Sequence, residues 1–174
     1  MQRRTLLKLG AGSAAVLALA GGGLALLRPG LSGGRLSATG REVFLAVARA
    51  VLDGALPSDD GARTAALTAH LQRLDETVAA FPPATQSELS QLLALLASTP
   101  GRLGLARLRP AWPDADVAEL QQALQGMRTA SLTLPQQAYH ALRDLTNAAY
   151  FADAASWSQL GYPGPRGVDA APAA

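Results

Sequence analysis

The chain of 174 residues is long enough for one domain with a hydrophobic core, and its lack of cysteine excludes disulfide bonds and thiolate metal sites. Apolar residues make up 49% of it, and its net charge of +2 arises from an opening segment without acids that contains Arg3, Arg4, Lys8 and Arg28. The rest of the chain has no lysine and fewer basic than acidic residues, so it is not expected to bind nucleic acid.

The first 28 residues are predicted to be an export signal or a membrane anchor. Residues 3–8 read RRTLLK, and residues 9–27 carry no charge and are moderately apolar. This pattern resembles a twin-arginine (Tat) signal, which implies export to the periplasm through the Tat translocase. The uncharged stretch is also nearly long enough to span the inner membrane as an anchor if it is not cleaved, and the sequence leaves cleavage open. The residues expected to carry Tat recognition are Arg3, Arg4, Leu6, Leu7 and Lys8.

The next segment, residues 29–38, is rich in Gly and Ser and is predicted to be a linker. A single helical domain is predicted over residues 39–166, and residues 167–174 are predicted to form a disordered tail. The first helix is expected to begin at Thr39, because Glu42 lies three residues later and the two side chains suit a capping box.

Apolar residues at helical spacing, with prolines at the breaks, predict the helices that follow. A second helix is expected from Asp60 to Phe81. A third helix begins after a pair of prolines and is expected to end at Pro100. Residues 102–109 are expected to form a short helix.

Two more helices are predicted in the last third of the chain. Asp114 is the expected N-cap of one of them, and Pro135 suits the first turn of the last and longest one. The sequence contains no alternating pattern typical of strands. The predicted fold class is therefore all-α, an orthogonal array or bundle of five to six helices after the N-terminal signal or anchor helix.

Candidates for catalysis are few. His140 and Asp144 lie one helical turn apart with Tyr139 beside them, but a solvated or half-buried helix pair is the favoured interpretation. No third ligand accompanies them, so a metal site is not expected. Asp75 is interpreted as a residue at a helix cap. No catalytic, cofactor-binding or metal-binding residue is assigned, and the chain is not expected to be an enzyme on its own.

The C-terminal segment is the most specific feature of the sequence. Residues 156–167 read SWSQLGYPGPRG and follow a helix with an aromatic end. Together with the twin-arginine leader and the Ala/Leu-rich helices, this segment resembles the small-subunit family of gluconate 2-dehydrogenase (subunit 3) and its relatives with Tat leaders. The resemblance covers most of the chain.

The resemblance implies a noncatalytic accessory subunit and export chaperone. It would stabilise a large FAD-dependent (GMC-type) dehydrogenase of sugars, sugar acids or alcohols and would supply the Tat signal for the folded complex. A cytochrome c subunit is a further implied partner, and this chain would hold no cofactor of its own. Aromatic residues often anchor interfaces, and proline keeps a segment extended. The expected partner contacts are Tyr150, Trp157, Tyr162, Pro163, Gly164 and Pro165.

Alternatives stay open for both the segment and the function. Packing on the chain's own core is the favoured interpretation of Trp157, whereas core packing and partner contact are equally open for Tyr162 and Pro163. The alternative function is that of a free-standing, membrane-tethered periplasmic protein. Such a protein would bind an apolar small molecule or an envelope component in a pocket between its helices.

Overall fold

The computed structural model describes residues 28–163. In this part of the chain the protein is mostly helical, with 69% helix and six helices, so the predicted all-α class is confirmed. The predicted features outside the described residues are the signal or anchor with Arg3, Arg4, Leu6, Leu7 and Lys8, the contact residues Gly164 and Pro165, and the tail at 167–174.

The helices follow one another through short turns. The fourth is a single turn that continues directly into a π turn at Arg102–Ala106, and a 3₁₀ segment at Ala154–Leu160 follows the last helix. The helices are α1 (Ala38–Val51), α2 (Asp60–Ala79), α3 (Pro83–Ala97), α4 (Thr99–Gly101), α5 (Val117–Arg128) and α6 (Thr133–Phe151).

Two helices begin at caps other than the predicted ones. Helix α1 begins after Ser37 rather than at Thr39, because the Ser37 hydroxyl accepts a backbone N–H of the first turn at 3.2 Å. Helix α5 begins after Asp116 rather than Asp114. Asp116 and Glu119 form a capping box, in which each side chain accepts the other residue's backbone N–H, at 2.8 and 3.0 Å.

Residues 29–38 are part of the folded domain, so the prediction of a linker is wrong. Strands β1 (Leu31–Ser32) and β2 (Arg35–Leu36) pair antiparallel, and the two glycines between them have φ angles of 59° and 75° that form the turn. Leu31 and Leu36 are buried in the main core. A strand of two residues is too short to produce an alternating sequence pattern, which explains why no strand was expected.

The segment before the hairpin is fixed to α1 and α3. Gly30 donates its N–H to the carbonyl of Ser90 at 3.1 Å, and Leu31 donates to the Ser90 hydroxyl at 3.1 Å. A Cβ atom at Gly40 would lie 2.3 Å from the carbonyl oxygen of Gly30. Only glycine therefore permits α1 to approach this segment so closely.

Asp75 fixes the hairpin to α2. Its carboxylate accepts the N–H of Leu36 at 2.8 Å and also pairs with the guanidinium of Arg41. Asp75 lies inside α2 and is buried, so its interpretation as a cap residue is wrong. The carboxylate joins an edge strand, the first helix and the second helix at one point.

Pro100 and the residues after it also differ from prediction. Helix α3 ends at Ala97, and Pro100 lies in the first turn of α4. The short helix expected over residues 102–109 is present only as the π turn at Arg102–Ala106, which ends at Arg107 in a left-handed conformation with φ 53°.

Helix α1 is at the centre of the fold. It packs against α2, α3, α5 and α6, and its Val43, Phe44 and Val47 side chains are fully buried. A second, smaller apolar cluster lies at its C-terminal end, where the last helix ends. The C-terminal end of the last helix is therefore placed in this smaller cluster.

Candidate partner-binding face

The end of α6 packs in the smaller apolar cluster. Tyr150 is only 5% exposed there, in a group with Ala48, Leu52 and Leu67. Its hydroxyl donates a hydrogen bond to the carbonyl of Ala55 at 2.9 Å. Tyr150 belongs to the chain's own core, so the prediction that it contacts a partner is wrong. Its position at the aromatic end of a helix gave no information about which way the ring faces.

Trp157 lies in the 3₁₀ segment and is half-buried. Its indole N–H donates to the carbonyl of Phe151 at 3.0 Å, across the junction between α6 and the 3₁₀ segment. This bond satisfies one of the carbonyls that the end of a helix leaves without an intrahelical partner. The indole is thus tied to the end of the chain's own last helix by this bond, and Trp157 belongs to neither apolar cluster of the described residues.

Tyr162 differs from Trp157, because its side chain is 48% exposed. Gly161 turns the chain with φ 66°, and Tyr162 donates its backbone N–H to the carbonyl of Trp157 at 3.0 Å. The two rings meet edge to face, with centroids 5.3 Å apart and planes at 64°. Pro163 follows and is also exposed. We refer to Trp157 and Tyr162 as the tail aromatic pair.

The backbone that precedes the pair is held by Arg73 of α2. The Arg73 guanidinium donates to the carbonyl of Ala149 at 2.7 Å and pairs with the carboxylate of Asp153 at 2.9 Å. Asp153 in turn accepts the N–H of Ala155 at 3.0 Å, and the Ser156 hydroxyl donates to the carbonyl of Asp153 at 2.6 Å. This set of bonds fixes the start of the 3₁₀ segment that carries the tail aromatic pair.

The histidine and carboxylate considered for catalysis are not joined. His140 is exposed and packs edge to face on Tyr139, with ring centroids 5.2 Å apart. The carboxylate of Asp144 instead pairs with its neighbour Arg143 at 2.6 Å. Among the described residues no hydrogen bond connects His140 with Asp144, which leaves the two as separate surface side chains.

The other histidine occupies an unusual position that the sequence gave no reason to single out. His70 of α2 is 0% exposed, and both of its ring nitrogens lack a hydrogen-bond partner within the described chain. Its ring packs edge to face on Tyr150, with centroids 6.3 Å apart. Burial, with a smaller contribution from the charge of Arg73, lowers the pKa of His70 from 6.5 to about 4. Thr146 of α6 is equally buried and its hydroxyl has no partner either.

Two clefts are open to solvent on the side of α5. One, of about 440 Å³, lies between residues 106–110 and the face of α5 that includes Glu119 and Gln122. The other, of about 400 Å³, lies where α1, α5 and α6 meet, and is lined by Tyr139 and Arg143 among others. Both contain charged and amide side chains, in contrast to the mostly apolar lining typical of ligand pockets.

The described residues form neither a metal-binding cluster nor a membrane-spanning helix. No three His, Asp or Glu side chains between residues 28 and 163 converge as metal ligands. None of the helices in the same range combines the length and the apolar composition that crossing a bilayer requires.

The chain matches no protein-family model, no curated protein and no solved structure. The resemblance to the dehydrogenase small-subunit family, with the partners and the location that it implies, therefore remains a proposal. The fold and the site define an all-α protein that presents a preformed aromatic pair next to the end of its last helix.

Proposed function

We propose that this protein is a noncatalytic accessory subunit and export chaperone of a periplasmic FAD-dependent dehydrogenase of sugars, sugar acids or alcohols. The flavin belongs to the large partner subunit, and electrons leave that subunit for a cytochrome c subunit. This chain contributes the Tat signal and a binding surface for the folded flavoprotein. The twin-arginine leader and the C-terminal segment are the sequence features that support this proposal.

The structural observation that carries the proposal is the tail aromatic pair. Tyr162 is half-exposed although it is held by a backbone hydrogen bond and by the Trp157 ring. An aromatic side chain that is already fixed loses little conformational entropy when a partner covers it, which favours binding. Tyrosine and tryptophan are also enriched among the residues that contribute most of the binding energy at interfaces.

The alternative function, binding of an apolar small molecule or an envelope component, has less support. It calls for an apolar pocket between the helices. The two clefts beside α5 are instead open and contain Arg107, Glu119 and Arg143. A catalytic role would have relied on a contact between His140 and Asp144, but the Asp144 carboxylate pairs with Arg143 instead.

Substitution of Tyr162 by serine is expected to weaken binding of the flavoprotein by about tenfold or more, because a central aromatic anchor is removed. The measurement is affinity capture of the C-terminally tagged full-length chain from its native cells. Flavin absorbance and mass spectrometry then identify and quantify the flavoprotein that co-purifies. The unsubstituted chain is expected to yield a yellow complex.

Leu132→Ser is the matched control for this experiment. Leu132 is 69% exposed and precedes α6, at the opposite end of the helix from the tail aromatic pair. The Leu132→Ser substitution therefore removes an exposed apolar side chain that lies away from the proposed face. The flavoprotein should still co-purify with this variant. A colourless chain that is captured alone would contradict the proposed function, and equal loss in both variants would contradict the assignment of the face.

A further inference from the structure

The loop after the π turn is shaped by Arg102. Its Nη1 atom donates to the carbonyl of Leu108 at 3.0 Å and lies against the carbonyls of Arg109 and Pro110. The Leu108 side chain is buried, which ties the loop to the core. Because several carbonyls of the loop face one guanidinium, the loop backbone has a fixed shape. The Cα positions from which its exposed side chains extend are therefore fixed as well.

Arg107 has a backbone conformation that residues other than glycine seldom adopt. It closes the π turn with φ 53° and ψ 25°, in the left-handed region that glycine usually occupies. Strained positions and π turns are found more often at ligand-binding sites than elsewhere. The strain does not serve burial, because the Arg107 side chain is exposed.

Arg107 and Arg109 have no charged partner among the described residues. Arg109 is exposed as well, and neither side chain has an ion pair or a hydrogen bond with any residue from 28 to 163. Acidic partners are present elsewhere in the same fold, where carboxylates pair with other arginines. Those paired arginines are Arg41, Arg63, Arg73 and Arg143.

Arg107 and Arg109 both line the cleft of about 440 Å³ against α5. From Glu119 to Gly126 this wall of the cleft is about 10 Å long. The Glu119 carboxylate is already engaged, since it accepts the N–H of Asp116 at 3.0 Å in the capping box. A Cβ atom at Gly126 would meet nothing within 4 Å, so the far end of the wall leaves space for a ligand.

We propose that this arginine cleft, formed by Arg107, Arg109, Gln122 and Gly126, binds a small ligand through a carboxylate or phosphate group. Guanidinium groups bind both oxyanions with paired, charge-assisted hydrogen bonds. The Gln122 amide provides a further donor on the opposite wall. The site does not depend on the tail aromatic pair or on the proposed flavoprotein partner.

The test is titration of the full-length chain with inorganic phosphate and, separately, with succinate at low salt, followed by calorimetry. A second arm measures co-sedimentation with phosphatidylglycerol vesicles, against phosphatidylcholine vesicles, and so separates a lipid headgroup from a free anion as the source. The R107A/R109A double variant is expected to bind about tenfold more weakly or not at all in the arm that shows binding.

Two further variants make the result specific to the cleft. Arg128→Ala removes a positive charge from an exposed site at the end of α5, and it should leave binding unchanged. Gly126→Leu fills the open end of the cleft without changing the charge, and it should abolish binding while circular dichroism shows that the helices are retained. The proposal is overturned if neither arm shows binding, or if R128A weakens binding as much as R107A/R109A does.

Discussion

Replacement of Asp75 by alanine is expected to lower the free energy of unfolding by about 3 kcal/mol. The side chain is 4% exposed, and it accepts the N–H of Leu36 at 2.8 Å while it pairs with Arg41. Alanine would leave a buried N–H without an acceptor and a guanidinium without its carboxylate. The hairpin, α1 and α2 would all lose the group that joins them. Urea unfolding monitored by circular dichroism measures the effect.

Two control variants separate the hydrogen bond to Leu36 from the ion pair with Arg41, and both from the general loss of a carboxylate. Asp75→Asn keeps an oxygen acceptor for Leu36 but removes the charge that pairs with Arg41, so we expect it to lose about half as much stability. Asp114→Ala removes an exposed carboxylate that has no hydrogen bond or ion pair within residues 28–163, so its effect should stay within about 0.5 kcal/mol. Unfolding of D75A at the same urea concentration as the unsubstituted chain would contradict the role of Asp75.

Acidification is expected to reduce the stability of the protein by about 3 kcal/mol through His70 alone. Burial, and then the nearby charge of Arg73, lowers the pKa of His70 in the folded chain to about 4, against 6.5 in the unfolded chain. Between these pH values the unfolded chain binds a proton that the folded chain does not. The contribution is therefore fully present above pH 6.5 and is lost as the pH falls to about 4.

The variant that checks this prediction is His70→Leu, studied by urea unfolding at several pH values. It should flatten the pH dependence between 6.5 and 4, and at neutral pH it should be as stable as the unsubstituted chain or more so, since two buried nitrogens without partners are removed. His140→Gln is the control, because it removes an exposed histidine from α6. If H70L kept the full loss of stability at low pH, the protonation of His70 would not be its cause.

The positions of the helices could largely be predicted from the sequence, whereas the hairpin and two of the helix caps were not predicted. Helices α2, α3 and α6 lie close to their predicted positions, because apolar spacing and prolines are local signals. The hairpin was missed because its two-residue strands are too short to show an alternating pattern, and because its attachment to α2 depends on Asp75, which is far away in the sequence. The capping box at Asp116 was a missed local signal, since Glu119 follows it at the required spacing.

The candidate site was predicted in part. The sequence drew attention to Trp157 and Tyr162, but it did not show that one ring is held against α6 while the other is exposed. Tyr150 was misassigned because burial against α1 depends on how α6 crosses it. Arg107 and Arg109 were overlooked because the pattern RLGLARLR predicts a helix, and the π turn appears only in the three-dimensional structure.

The proposed function requires that this chain carry a folded flavoprotein out of the cytoplasm. Its most direct test is the compartment of that flavoprotein in cells that produce either the natural chain or a variant with Arg3→Lys and Arg4→Lys. Both cell types are fractionated, and the flavin-loaded dehydrogenase is quantified in periplasm and cytoplasm. We predict that the flavoprotein is periplasmic with the natural chain and remains in the cytoplasm, folded and flavin-loaded, with the variant. An unchanged amount of flavoprotein in the periplasm would contradict the proposed function.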